Sequence, residues 1–174
     1  FSMAMVAHNH NHNYMFKNSK MNKALSLILS VLRGTSISAI RYHHNHNHHR
    51  YHGAAPNDWS TPELVLELSG VKKILLYCFR AGSKIKAKMH ELKLQGNPTI
   101  LKLNKQINIE FLAIFLFIGL CLYLNWKVFV FLTFPILIFG NLFLIFLNLI
   151  QHDGLDIYGP ITVSSRNFTG RFIN

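Results

Sequence analysis

Eleven histidines stand among 174 residues, and nearly all lie in two short clusters. The first is His8-Asn9-His10-Asn11-His12; the second fills residues 43–52 as HHNHNHHRYH. Imidazole near neutral pH is a borderline-soft donor suited to iron, copper or zinc. Positions i and i+4 share one helical face. His8 with His12, and His44 with His48, meet that spacing, while His49 lies about 100° round from His48. A helix bearing His44, His48 and His49 therefore offers imidazoles to two neighbouring ions. His10 and His46 point roughly the opposite way and make poorer ligands. Spacing leaves His43 and His52 undecided. A solvated His/Asn tract also binds metal without purpose. Two separated clusters, the second beside a turn-rich loop at 53–60, favour a built site.

The elements that must position these side chains are helical and apolar. Residues 111–150 are almost wholly apolar, broken by Asn125-Trp126-Lys127 and Pro135. That is about twice the ~20 residues needed to cross a hydrocarbon core, so the stretch reads as a transmembrane hairpin. Ile107 and Ile109 lengthen its first arm, with Glu110 expected to turn toward the interface. Trp126 and Lys127 suit a turn among headgroups. Asn141 and Asn148, within the second arm, are expected to hydrogen-bond between helices. Residues 20–32 are too short to span and suit a helix in the interface or against the spans. Gly34-Thr35-Ser36 ends that helix, Ser60-Thr61-Pro62-Glu63 starts another, and Asn97-Pro98 marks a further break.

A hairpin crosses an even number of times, so the sequence on either side of it shares one face of the membrane. The preceding stretch carries Lys72, Lys73, Arg80, Lys84, Lys86, Lys88, Lys93, Lys102 and Lys105 against the single acid Glu91. Positive-inside bias puts that face in the cytoplasm, together with both clusters and His152. The formal charge of +11 comes with no nucleic-acid motif, so nucleic acid is not the expected partner. Cys78 and Cys121 stand far apart, which excludes a disulfide framework and a zinc knuckle. The opening Phe1-Ser2-Met3 and the ending at Asn174 read as a piece of a longer protein.

HX3H at His8 and His12, HX3HH at His44, His48 and His49, and the following Arg50-Tyr51-His52-Gly53 with Asn57-Asp58-Trp59-Ser60 resemble the membrane fatty acid desaturases, especially the bacterial branch. Gln151-His152-Asp153-Gly154 and Ser165-Arg166-Asn167-Phe168-Thr169-Gly170 extend the match. The resemblance implies an all-α, multi-span membrane fold with cytosolic histidine-bearing helices. It implies a single incomplete domain: boxes one and two in 1–60, a basic cytosolic segment in 61–106, the transmembrane hairpin in 107–150, and the start of a C-terminal cytosolic region in 151–174. It also implies two irons and dioxygen, with His8, His12, His44, His48, His49 and His152 as metal ligands. The last histidine box falls beyond Asn174, and Ser164 stands where some relatives have a histidine. The implied partners are a lipid-, CoA- or carrier-linked acyl substrate, membrane lipid, and an electron donor such as ferredoxin or cytochrome b5.

The implied activity is oxygen-dependent desaturation of a fatty acyl chain. A membrane di-iron hydroxylase of alkyl or carotenoid substrates shares the same boxes and is the nearest alternative. A metal-binding or metal-transporting membrane protein ranks lower, because the hairpin carries only asparagines and one threonine where an ion would pass. Asp58 and Asp153 are candidates to orient imidazoles through the second ring nitrogen. Arg50 and Arg166 are candidates to face headgroups, and His90 reads as a solvated surface residue.

Overall fold

The computed structural model describes residues 2–158, and among these there are helices and turns but no strand. α1 (Ser2–His12) carries the first cluster. α2 (Ser19–Arg33) begins where Asn18 Oδ1 accepts from the Lys20 N–H at 2.8 Å and ends at Gly34, whose φ of 66° suits glycine at a helix C-terminus. α3 (Ile37–His43) starts on Ser36, whose hydroxyl caps the Ala39 N–H. The axis bends by 99° between α2 and residues 37–51. α3 runs on through a π-helical turn, His44–His48, into α4 (His49–Tyr51). At the expected helix start a short 3-10 turn forms at Pro62–Val65, capped by Thr61.

α5 (Gly70–Leu94) lies against the end of α7 (Phe134–His152). Tyr77, fully buried, donates to the Ser60 carbonyl at 2.5 Å and accepts from Asn148 at 2.6 Å. Val65, Ala81 and Leu149 close around it. Asn97-Pro98 opens α6 (Pro98–Val128). Its helical dihedrals break at Asn125 (φ −161°, ψ 89°), whose side chain then accepts from the Val128 N–H as the helix restarts. A π-helical turn, Phe129–Thr133, leads into α7.

On one straight helix Glu110 and Asn141 would lie about 46 Å apart. Instead, Glu110 bonds Ser36 and Ser38, while Asn141 Nδ2 donates to the Arg33 carbonyl at 2.8 Å. Both arms therefore return to the α2–α3 corner, and the chain doubles back near Asn125. Asn141 and Asn148 are used as expected, binding neighbouring helices. The stretch 98–152 holds a segment long and apolar enough to cross a membrane, and only 6% of that segment is buried by the rest of the chain. α2 is packed on α6, and it passes the same length-and-apolarity test only when joined to the bent helix after it.

Glu110 departs from expectation. It is 0% exposed, and its carboxylate accepts from Ser36 Oγ at 2.6 Å, Ser38 Oγ at 2.7 Å and the Ser38 N–H at 3.0 Å. The Ser38 N–H and the Ser36 and Ser38 hydroxyls offer the carboxylate three donors at the head of α3, which explains why it turns inward and not to the interface.

Candidate metal centre

α1 and the α3–α4 segment meet so that four imidazoles converge. His12 Nε2 lies 3.1 Å from His8 Nε2 and 3.2 Å from His44 Nε2; His44 Nε2 lies 3.0 Å from His49 Nε2. The ligating atoms of His8, His12 and His44 all fall within 4.8 Å of one another. The π-helical turn changes which residues share a face. In α geometry His48 would be the nearer partner of His44; here the i, i+5 contact brings His49 Nε2 against His44 Nε2, while the His48 ring stacks on His44 at 5.7 Å between centroids. His48 meets His152, edge-on at 5.2 Å between ring centroids, so the end of α7 joins the second cluster. All six residues expected as ligands thus lie in one contiguous array, four in one group and two beside it.

His10 and His46 fall outside it. His10 is buried and bonds Ser26 Oγ at 3.0 Å, while His46 is exposed beside Tyr42. His52 stacks on His48 at 6.4 Å, held at a positive φ of 46°. His43 stacks on Trp59, and His90 is exposed. The interleaved asparagines are structural. Asn45 Nδ2 donates to the Asn11 carbonyl at 2.7 Å, tying the second cluster to α1. Asn47 donates to the Asn57 carbonyl at 2.9 Å and accepts from the Trp59 N–H at 2.8 Å. A merely solvated His/Asn tract would make none of these bonds.

Asp58 orients His48. Its carboxylate, 0% exposed, accepts from His48 Nδ1 at 2.8 Å, the Gly53 N–H at 2.6 Å, the Ser60 N–H at 2.7 Å and Ser60 Oγ at 2.8 Å. Burial alone would raise its pKa; the His43 imidazole 3.9 Å away and the hydrogen bond from His48 outweigh this and hold it far below the usual carboxylate range. With Nδ1 engaged by an anion, His48 carries its proton there and presents Nε2 as a lone-pair donor. Asp153 does not share this role, since it pairs with Lys73 at 2.6 Å. Arg50 is exposed, its guanidinium over the Tyr51 ring; Arg166 and Ser164 lie outside the described residues.

The donor set fits a metal. Each neutral imidazole has one N–H and one lone pair, so several Nε2 atoms in mutual contact cannot all be satisfied by sharing protons. Contacts of 3.0–3.2 Å match the ~3.0–3.4 Å between nitrogens about 2.1 Å from a common ion. Burial first, then the neighbouring imidazoles, lower the pKa of His44 to about 2 and of His49 to about 4. Burial, then His12 and His48, also lower His8. His8, His44 and His49 are therefore neutral and ligation-competent at pH 7.

Those depressed values set the sign of the acid response. Below the unfolded histidine value of about 6.5 the unfolded chain takes up protons that His44 and His49 refuse in the fold. Stability is full above that pH and declines as it falls toward about 4, where His49 titrates. Thermal melting of the metal-free protein should therefore show Tm dropping between pH 7 and 5. A flat profile would contradict the burial of these rings. Metal retention should fall over the same range, because protons compete for the lone pairs.

Gly53 is a site residue that spacing does not reveal. A Cβ there would stand 2.6 Å from Cγ and Nδ1 of His152, and its φ of 81° disfavours other side chains. Gly53→Ala is expected to push His152 from His48. Equilibrium dialysis should then show weaker metal binding with helical content retained; unchanged binding would remove His152 from the site.

A family model for fatty acid desaturases matches residues 1–174. No curated protein and no solved structure matches the chain. The ordered imidazole array, the apolar fold-back behind it and this whole-length match agree, and the chain belongs to the fatty acid desaturase family.

Proposed function

We propose that the protein is an oxygen-dependent fatty acyl desaturase, introducing a double bond at a di-iron centre held by His8, His12, His44, His48, His49 and His152. The observation that carries this reading is the convergence of Nε2 atoms from α1 and the α3–α4 segment, with the His48–His152 pair alongside. His8, His12, His44 and His49 would hold one iron, and His48 and His152 would contribute to the other. The family's last histidine box would add further donors. When bound, the irons supply activation of dioxygen and oxidation of unactivated C–H bonds.

The chain's own part is to position. Asp58 fixes the His48 ring, Glu110 fastens the head of α3 to α6, and Gly53 leaves room for His152. α6 and α7 would serve as two membrane spans doubling back at Asn125, and the positive charge of α5 supports a cytoplasmic side for it and for the imidazoles. An apolar recess of about 490 Å³ between Ile74 on α5 and Phe139, Phe143 and Phe146 on α7 suits an acyl chain lying along α7. Holding such a chain at one depth supplies most of the regioselectivity. Electrons come from a separate donor of the ferredoxin or cytochrome b5 type, and an acidic one would be steered by the lysines.

The test is product analysis. Protein loaded with iron and given an acyl substrate, dioxygen, reductant and donor should yield by mass spectrometry a product lighter by two hydrogens. A product heavier by one oxygen assigns a hydroxylase instead. Iron binding with no change in any lipid overturns both readings.

A further inference from the structure

α5 has one face in use and another facing outward. Tyr77 and Ala81 point into the core, and Lys73 pairs with Asp153. Val71, Leu75 and Phe79 are 71%, 57% and 72% exposed, which is unusual for three large apolar side chains on one helix. At about 100° per residue they share a stripe roughly 80° wide with Lys86 and Lys93. The stripe is therefore apolar in its first half and cationic in its second. Within residues 66–105 the only acids are Glu67 and Glu91, already bonded to Arg80 and Lys88. Leu94 and Leu101 extend the exposed apolar surface beside the exposed Lys102 and Lys105.

An exposed face that passes from large apolar side chains to lysines suits a helix lying in the headgroup layer. The rings and branched chains enter the acyl region, while lysine stems run along it and lift their ammonium groups to the phosphates. We propose that α5 docks along an anionic bilayer surface, with Val71, Leu75 and Phe79 inserted among acyl chains and Lys86 and Lys93 set against lipid phosphates. Position favours lipid over an acidic soluble protein. Tyr77 and Asn148 fasten α5 to the last turns of α7, which places the apolar half of the stripe beside the apolar fold-back. The proposal rests on the membrane reading above, so its test carries a separate control for that reading.

The whole protein, with Cys78 and Cys121 replaced by serine, would carry one spin label at a time through Leu75→Cys, Phe79→Cys, Lys86→Cys or Phe115→Cys. It would be reconstituted in vesicles of phosphatidylcholine alone or mixed with phosphatidylglycerol. Power saturation with oxygen and with a water-soluble nickel chelate reads the depth of each label. With phosphatidylglycerol, labels at 75 and 79 should sit just below the phosphates, 86 among the headgroups and 115 deep in the bilayer. Neutralising Lys93 to Gln should reduce the docked-to-undocked ratio about fivefold, from the ~1 kcal/mol a lysine gains at an anionic surface. Labels at 75 and 79 that stay chelate-accessible while 115 is deep overturn the docking alone. Shielding that appears only when an acidic protein is added assigns the stripe to that protein and also overturns it. A chelate-accessible 115 defeats the membrane reading and the docking with it.

Discussion

Substitution His12→Ala is expected to weaken metal binding more than any other single histidine change in α1. His12 is the hub of the first group: its Nε2 touches those of His8 and His44, and its ring lies 4.6 Å from that of His49. Removing a residue that only orients a ligand costs roughly 10–100-fold in metal affinity, and loss of a ligand atom should exceed that. Iron content after dialysis against a graded chelator is the direct readout. His46→Ala is the control, since that ring is exposed against Tyr42 and outside the array. Equal losses from the two substitutions would mean that the convergence of nitrogens does not hold the metal.

Asp58→Ala should have the largest effect on stability. Its carboxylate receives four hydrogen bonds in a fully buried position, and alanine strands the Gly53 and Ser60 N–H groups, the Ser60 hydroxyl and His48 Nδ1 together. Breaking a buried, charge-assisted network by removing one partner costs about 3–5 kcal/mol, readable as a lower midpoint in denaturant. His48 would also lose the bond that fixes its ring, so metal affinity should fall by about 10–100-fold even where the chain stays folded. Asp58→Asn separates the two effects. It keeps the volume and one accepting oxygen but sets an NH₂ group against donors, so it should retain more stability than alanine while still misorienting His48. Indistinguishable metal binding in Asp58→Asn and the parent would show that His48 needs no such support.

The helix boundaries were legible because their punctuation is local. Gly34-Thr35-Ser36, Asn97-Pro98 and Asn125 each act through their own dihedral freedom or through caps within a few residues. The pairing of His8 with His12 was legible for the same reason, since one helical turn decides it. The closer contact of His44 with His49 was not. Histidines at both 48 and 49 satisfy either an α or a π repeat, and only tertiary contacts of Asn45 with α1 and Asn47 with the following loop select the wider turn. Glu110 was misread because its partners lie 72 and 74 residues away, and a lone acid at the edge of an apolar run ordinarily seeks water. Gly53 reads locally as a turn glycine; its contact with His152 exists only once α7 has doubled back to the site. Hairpin topology put His152 on the face of the two clusters, and family resemblance made it a ligand; local spacing has no way to join it to residues a hundred positions earlier.

The Glu110 clamp has a consequence for chain-length measurement. A slip of one turn along α6 would move the histidine scaffold by about 5.4 Å, several carbons of an extended hydrocarbon. Three bonds from the head of α3 to one carboxylate oppose that slip and give the imidazole array and the apolar helices a common origin. On the proposed desaturase reading, the distance from that origin to the bond attacked would be a property of the protein's own frame, not of the thickness of a surrounding bilayer.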